Sequence, residues 1–319
     1  GQDGRPFAGT PELKTVSVLH HSVAGILFED APNSLEELIA MDEEGAALPA
    51  FPLRALVSAT QRSTHDALTS ANVVGMLPGS DPLLNDEYVV YMAHLDHIGE
   101  VAHGRDEEDV INNGALDNAS GIAVMLETAR TFAQGPRPRR SLLFIALTAE
   151  EKGLVGSEYF AQNPTVPVDG LVGAINLDMP LLLYDFGDVI AFGAERSSLG
   201  QMVAQAAGEF GVALTPDPMP EQNLFVRSDH YRFVQRGIPS IFLVTGRTSR
   251  DGVTDTGPLF DGFLQKHYHQ PSDDLDLPID YQAAVRFTRI NQRIGEIVAN
   301  NPSPPAWIEG DFFGRTFAR

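Results

Sequence analysis

Three ionisable residues fall within four positions in "AHLDH": His94, Asp96 and His97. Further along stand Asp117 in "GALDNASG", the adjacent pair Glu150 and Glu151 in "TAEEKGL", and Asp178 in "NLDM". The chain has no cysteine, which removes thiol catalysis, thiolate metal sites and disulfides together. Imidazole and carboxylate without thiolate make a poor receptor for a bare anion. They make a good one for a divalent cation, with zinc suited and cobalt or manganese also. Four or five such groups exceed what one tetrahedral ion needs. Two ions sharing a bridging carboxylate, about 3.5 to 4 Å apart, would use them all. Of the adjacent glutamates, one would ligate metal and the other act as general base, because neighbouring side chains at a strand end point to opposite sides unless the chain turns.

The elements that must bring these groups together read as an α/β pattern from residue 88 onward, with a largely parallel or mixed sheet. Strands are expected at "YVVYM" (88–92), "LLFIAL" (142–147), "LVGAINL" (171–177) and "SIFLV" (240–244). "DNASGIAVMLETARTFAQ" reads as a helix with Ile122, Met125, Leu126, Ala129 and Phe132 at spacings of three and four. The same spacing recurs at Ala283, Phe287, Ile290, Ile294 and Ile297, and "NPSPP" stops that helix. Open α/β sheets hold ligands at the carboxyl ends of their strands. Asp96, Glu150 with Glu151, and Asp178 each follow a strand, so they are predicted to converge with His94 and Asp117 on one crevice.

Taken singly, these motifs are weak. "HxD" is common by chance, "EE" usually opens a solvated helix, and "DN" before a helix is usually a cap. His20, His21, His65, His97, His103, His230 and His267 each read as surface or packed histidines rather than ligands. Co-occurrence at strand ends carries the functional case.

The net charge of −21 would repel a phosphate backbone and excludes nucleic acid as a natural partner. No apolar run approaches the roughly 18 residues of a membrane span. The opening "GQDGRPFAGT" lacks a signal-peptide pattern and reads as a flexible lead-in, leaving residues 11–319 as a single catalytic domain. "NSLEELIAM" starts a helix capped by Asn33 or Ser34, and "ALPAFPLRALVSAT" leads into strand-like residues. The tail "WIEGDFFGRTFAR" has no assignable chemistry and is expected to pack against the body.

The ordered blocks "AHLDH", "GALDNASG", "TAEEKGLVGSEYF", "NLDM", "RSDHYRFVQRGIPSIFLVTG" and "YHQPSDDL" resemble the co-catalytic di-zinc exopeptidases of metallopeptidase family twenty-eight, from about Asn72 to about Asp276. The resemblance implies a three-layer α/β/α sandwich around a mixed, largely parallel sheet. It also implies two zinc ions: His94 and Asp178 on one, Glu151 and His269 on the other, with Asp117 bridging. Glu150 then matches the general base that takes a proton from a metal-bridging water, and Asp96 a carboxylate that orients His94. A cis Asp117–Asn118 peptide, an oxyanion-stabilising Tyr268 and a substrate-contacting Arg227 are implied as well.

The implied activity is removal of N-terminal residues from peptides or proteins, since acidic groups around the metals would attract a free α-amino group. The implied location is periplasmic or extracellular. The protease-associated domain that larger members insert upstream has no counterpart here, whether lost in this branch or cut from the chain. Carboxypeptidase or dipeptidase activity on the same metal core is the alternative within the peptidases. A glutaminyl cyclase, an acyltransferase, is a second alternative. Its tryptophan-lined pocket is hard to build when the only tryptophan is Trp307, in the tail. A metal-free scaffold is disfavoured because all five ligands and the base are present.

Overall fold

A computed structural model describes residues 19–60, 62, 64, 67–100 and 109–318. The expected lead-in at residues 1–10, His65 and His103 lie outside the described residues, as does the side chain of His21. The described residues fall into two compact units, one up to residue 68 and one from residue 69.

Among its described residues, the first unit holds two α-helices, α1 (His21–Ala24) and α2 (Leu35–Glu43). Ser34, one of the two candidate caps, starts α2. Its hydroxyl accepts from Glu37 N at 3.1 Å, and the Glu37 carboxylate accepts from Ser34 N at 3.0 Å. Residues 47–60 form no strand, and the next strand among the described residues begins at Val73. Pro49 and Pro52 remove ladder donors, and Leu56 and Val57 stand exposed.

The second unit is built on a seven-stranded sheet. Its spatial order is β1 (Val73–Leu77), β5 (Ser141–Leu147), β2 (Tyr88–His94), β6 (Leu171–Asn176), β9 (Ser240–Thr245), β7 (Asp188–Phe192) and β8 (Ala213–Thr215). Two residues each form the small ribbon of β3 (Gly99–Glu100) and β4 (Ile111–Asn112). β5, β2, β6 and β9 run parallel, β8 runs parallel to β7, and β1 and β7 are antiparallel to their inner neighbours. The sheet is therefore mixed and largely parallel, as expected.

All seven residues of β2 are buried, because both faces of the sheet are covered. Val89, Tyr91 and Ala93 pack with α3 (Ser120–Gln134), α5 (Leu199–Gly208) and α8 (Tyr281–Asn300). Tyr88, Val90 and Met92 pack on the other side with Phe160 of α4 (Val155–Gln162) and Phe233 of α6 (His230–Val234). This gives the three-layer sandwich. α7 (Gly257–Lys266) lays Phe260 and Phe263 against Leu116 and Leu181. In the tail, Trp307 Nε1 donates to Gly237 O at 2.9 Å, and Phe313 of α9 (Phe312–Phe317) meets the Phe225 ring.

α3 starts at Ser120, three residues into the segment "DNASGIAVMLETARTFAQ", and all five residues of its apolar pattern lie within the helix. Residues 115–119 form a wide turn behind Gly114, which has φ +66°, and the Asp117–Asn118 peptide is cis. The parallel central strands β2, β5 and β6 end on one edge of the sheet, which aligns residues 94–97, 148–151 and 178 there.

Candidate active site

His94 is the last residue of β2 and is buried. Its Nδ1 donates to the main-chain carbonyl of Asp96 at 2.9 Å, which fixes the tautomer and leaves Nε2 with a lone pair. That lone pair faces Asp117 Oδ1 at 3.1 Å and Asp178 Oδ1 at 3.3 Å. On the other side of Asp117, His269 Nε2 lies 3.2 Å from Oδ2 and 3.3 Å from Glu151 Oε2. The Asp117 carboxylate thus offers one oxygen to each of two groups, each an imidazole nitrogen with carboxylate oxygens.

Electron-rich atoms aimed at one another in a buried place repel unless positive charge sits between them. A proton is one answer. Burial opposes charge on His94, yet Asp178 and Asp117 raise its pKa well above the ordinary value. Burial likewise opposes ionisation of Asp117, but the contacts from His269 and His94 outweigh it and hold this carboxyl far below the usual range. A divalent cation answers the same electrostatic need, and the donor set suits one. His94, Asp117 and Asp178 lie close enough together to hold an ion, and so do His97, Asp117 and Glu151.

Glu150 and Glu151 both reach the site because the chain turns there. Ala149 has φ +55°, and Gly153 N and Leu154 N donate to Glu150 O. Asp96 supports this turn: its Oδ1 accepts from Glu150 N at 3.1 Å and is 3.9 Å from His94 Nδ1. The Asp96 carbonyl therefore orients His94, while its carboxylate orients the backbone of Glu150. Burial first, then the charges of Asp178 and Asp229, push Glu150 up to about 9.

The turn at Asp117 is tied down from several directions. Asp273 Oδ1 accepts from Leu116 N at 2.9 Å and Oδ2 accepts from Asp117 N at 3.0 Å. Asn118 Oδ1 accepts from Gly121 N and Met179 N, each at 3.1 Å, and its Nδ2 donates to Leu177 O at 2.9 Å. Asp178 Oδ2 accepts from Ser228 Oγ at 2.5 Å, and Ser228 Oγ accepts from Asn176 Nδ2 at 2.7 Å. Asp229 is fully buried beside this network, and burial pushes it up to about 7 against the pull of His94.

A cavity of about 390 Å³ opens over these groups. Eight of the nine residues picked from sequence line it: His94, Asp117, Glu150, Glu151, Asp178, Arg227, Tyr268 and His269. Asp96 lies behind them. The rest of the wall is mostly apolar, with Phe192, Leu224, Phe242 and Phe260 among it. The Tyr268 ring centroid is 3.8 Å from that of His269, and burial, followed by Asp117, raises its phenol pKa.

His97 was missed by sequence reasoning. It reads as a packed or surface histidine, yet its Nδ1 is 2.8 Å from Glu151 Oε1. The signal was its place in "AHLDH", three residues after a strand-end histidine. Asp273 and Ser228 gave no such signal, because neither directly follows a predicted strand. His230 is a packed histidine as expected, its ring between Phe225 and Phe242. Among the described residues, no helix is long and apolar enough to cross a membrane.

The chain is similar to several known proteins. The chain is 27% identical over 261 residues to leupeptin-inactivating enzyme 1 of Streptomyces exfoliatus, covering 77% of this chain and 52% of that protein. It is 28% identical over 200 residues to a probable lipoprotein aminopeptidase, LpqL, of Mycobacterium tuberculosis, covering 58% of this chain and 37% of that one. The chain thus spans about half or less of the length of these relatives. The solved aminopeptidase from Aneurinibacillus sp. strain AM-1 shares the fold at TM-score 0.54 and 23% identity, over 73% of this chain and 48% of that one. The sequence profile of peptidase family M28 matches residues 72–294, a span that takes in every site residue named above, and the chain belongs to that family.

Proposed function

We propose that this protein is a zinc-dependent exopeptidase that removes N-terminal residues from peptides, with two metal ions held by His94, Asp117, Glu151, Asp178 and His269. One observation carries the reading: Asp117 turns one carboxylate oxygen to His94 Nε2 and the other to His269 Nε2, at 3.1 and 3.2 Å, so two cation positions share one bridge. Zinc, when bound, polarises a scissile carbonyl and acidifies water.

The chain's own residues supply the rest. Glu150 is the proton carrier. Its backbone is fixed by Asp96, and burial first, then the charges of Asp178 and Asp229, raise its pKa to about 9. A carboxyl raised above its ordinary range holds a proton firmly enough to both accept and return one. It takes a proton from water and delivers it to the leaving amine. Tyr268, on the cavity wall beside His269, is the hydrogen-bond donor to the carbonyl oxygen as negative charge develops. The acidic floor attracts an α-ammonium group, and the apolar wall takes the side chain of the terminal residue. Arg227, also on the wall, contacts the part of the peptide beyond the scissile bond. Export to the periplasm or cell exterior belongs to the same proposal, supported by the relative named as a lipoprotein aminopeptidase.

The test compares aminoacyl anilides with their N-acetylated forms, before and after chelation and after zinc or cobalt is restored. Cleavage of the free-amine substrates alone, lost to the chelator and regained with metal, is expected. Cleavage of N-acetylated peptides that keep a free terminal carboxylate would move the assignment to a carboxypeptidase, and cleavage confined to dipeptides free at both ends to a dipeptidase. Ring closure of an N-terminal glutamine peptide without release of an amino acid would move it to a cyclase.

A further inference from the structure

The two oxygens of Glu151 face different partners. Oε2 is the oxygen 3.3 Å from His269 Nε2, inside one proposed cation position. Oε1 points away from it and meets His97 Nδ1 at 2.8 Å. A carboxylate oxygen can only accept here, so His97 Nδ1 carries the proton and donates it. His97 Nδ1 is 3.9 Å from Asp117 Oδ2, beyond hydrogen-bonding range, so Glu151 is its polar partner.

The ring has little freedom to do anything else. Its side chain is 8% exposed, and Nε2 is buried without a hydrogen-bond partner. One flank rests on Gly114, where an added Cβ would come within 2.8 Å of His97 Cγ, and the ring stands edge-on to His269 with centroids 5.8 Å apart. An imidazole left with one ring nitrogen unsatisfied is held in place by its packing and by the bond at the other nitrogen.

We infer that His97 is a positioning residue for Glu151: its Nδ1–H holds Oε1 so that Oε2 alone is presented to the metal. This rests on the metal reading above. Without that bond the carboxylate is free to rotate and to offer either oxygen or both, and the cation position shared with His269 loses its preset geometry. Partners of this kind, one bond removed from the ion, are commonly worth about 10- to 100-fold in metal affinity.

Side-chain geometry supplies a discriminating test. The amide nitrogen of asparagine falls near the place of imidazole Nδ1, and that of glutamine near Nε2. Zinc bound per chain, the affinity of the looser zinc by chelator competition, and the visible spectrum of the cobalt form would be measured for wild type, His97→Asn, His97→Gln and His97→Leu. Thermal unfolding of each metal-free variant tests that all four fold. The looser ion of His97→Leu and His97→Gln is expected to bind about 10- to 100-fold more weakly, with an altered cobalt spectrum, while His97→Asn stays close to wild type. Wild-type affinity in His97→Leu would overturn the inference. A loss in His97→Asn as large as in His97→Leu would also overturn it, marking the ring as a ligand or a packing element. Wild type that binds no zinc would instead overturn the metal reading, and this inference with it.

Discussion

Asp117 faces two imidazoles at once, and Asp273 fixes the backbone that makes this possible. Both oxygens of Asp273 accept main-chain N–H groups, from Leu116 and Asp117, four residues after His269 in the chain. In Asp273→Asn the amide would turn an N–H donor toward one of those donors. A cost of about 1 to 3 kcal/mol in urea unfolding of the metal-free protein is expected, together with weaker zinc retention. Glu150 makes a separable contribution. Glu150→Gln is expected to lower turnover by about 100-fold or more while zinc content stays near wild type, because a proton carrier is lost and no ligand is. Metal analysis beside kinetics checks this, and nearly full turnover in Glu150→Gln would remove Glu150 from the mechanism. What was legible at this scale follows a physical divide. Residues that end a strand carry their position in the sequence, and so His94, Glu150, Glu151 and Asp178 could be picked out. Asp273 and Ser228 owe their importance to backbone and side-chain partners 50 to 157 residues away, which no local pattern encodes.

The joint between α8 and β2 shows how closely the layers meet. Tyr91 Oη donates to Asn291 O at 2.6 Å, and α8 places Gly295 over the same ring. A Cβ at residue 295 would lie 2.1 Å from Tyr91 Oη. Gly295→Ala is therefore expected to destabilise the fold by about 1 to 3 kcal/mol, and the added change Tyr91→Phe to recover part of it. Denaturant midpoints of the single and double variants decide the matter. The buried strands β2, β5, β6 and β9 were readable because both their faces are covered, which leaves uninterrupted apolar runs. β1, β7 and β8 were not singled out, and the first two lie antiparallel to their inner neighbours. The apolar spacing from Ile122 to Phe132 lies wholly inside α3, whereas the turn at residues 115–119 that serves Asp117 has no apolar periodicity to mark it.

At the scale of the whole molecule, two neighbouring buried groups give stability an unusual dependence on pH. Burial lowers His230 to about 3 from an ordinary 6.5, so the folded protein refuses a proton that the unfolded chain accepts, and stability is lost as pH falls below about 6.5. Asp229 is raised to about 7 from 3.8, so its contribution is present in acid and is lost as pH rises toward 7. Between pH 4 and 6.5 the two oppose each other. His230→Phe should remove the acid-labile half, and the stability of the metal-free variant relative to wild type should climb toward acid by up to about 1.4 kcal/mol per pH unit. Urea unfolding at several pH values measures that slope, and parallel curves for the two proteins would contradict it. A last consequence comes from the unequal shielding of the two imidazoles, His94 at 1% exposure and His269 at 35%. Under the two-ion proposal, the pair is kinetically inequivalent. Brief stripping empties the His269 side first, and a different metal added next enters there, so order of addition dictates the arrangement of a mixed-metal enzyme and gives each ion its own spectroscopic label.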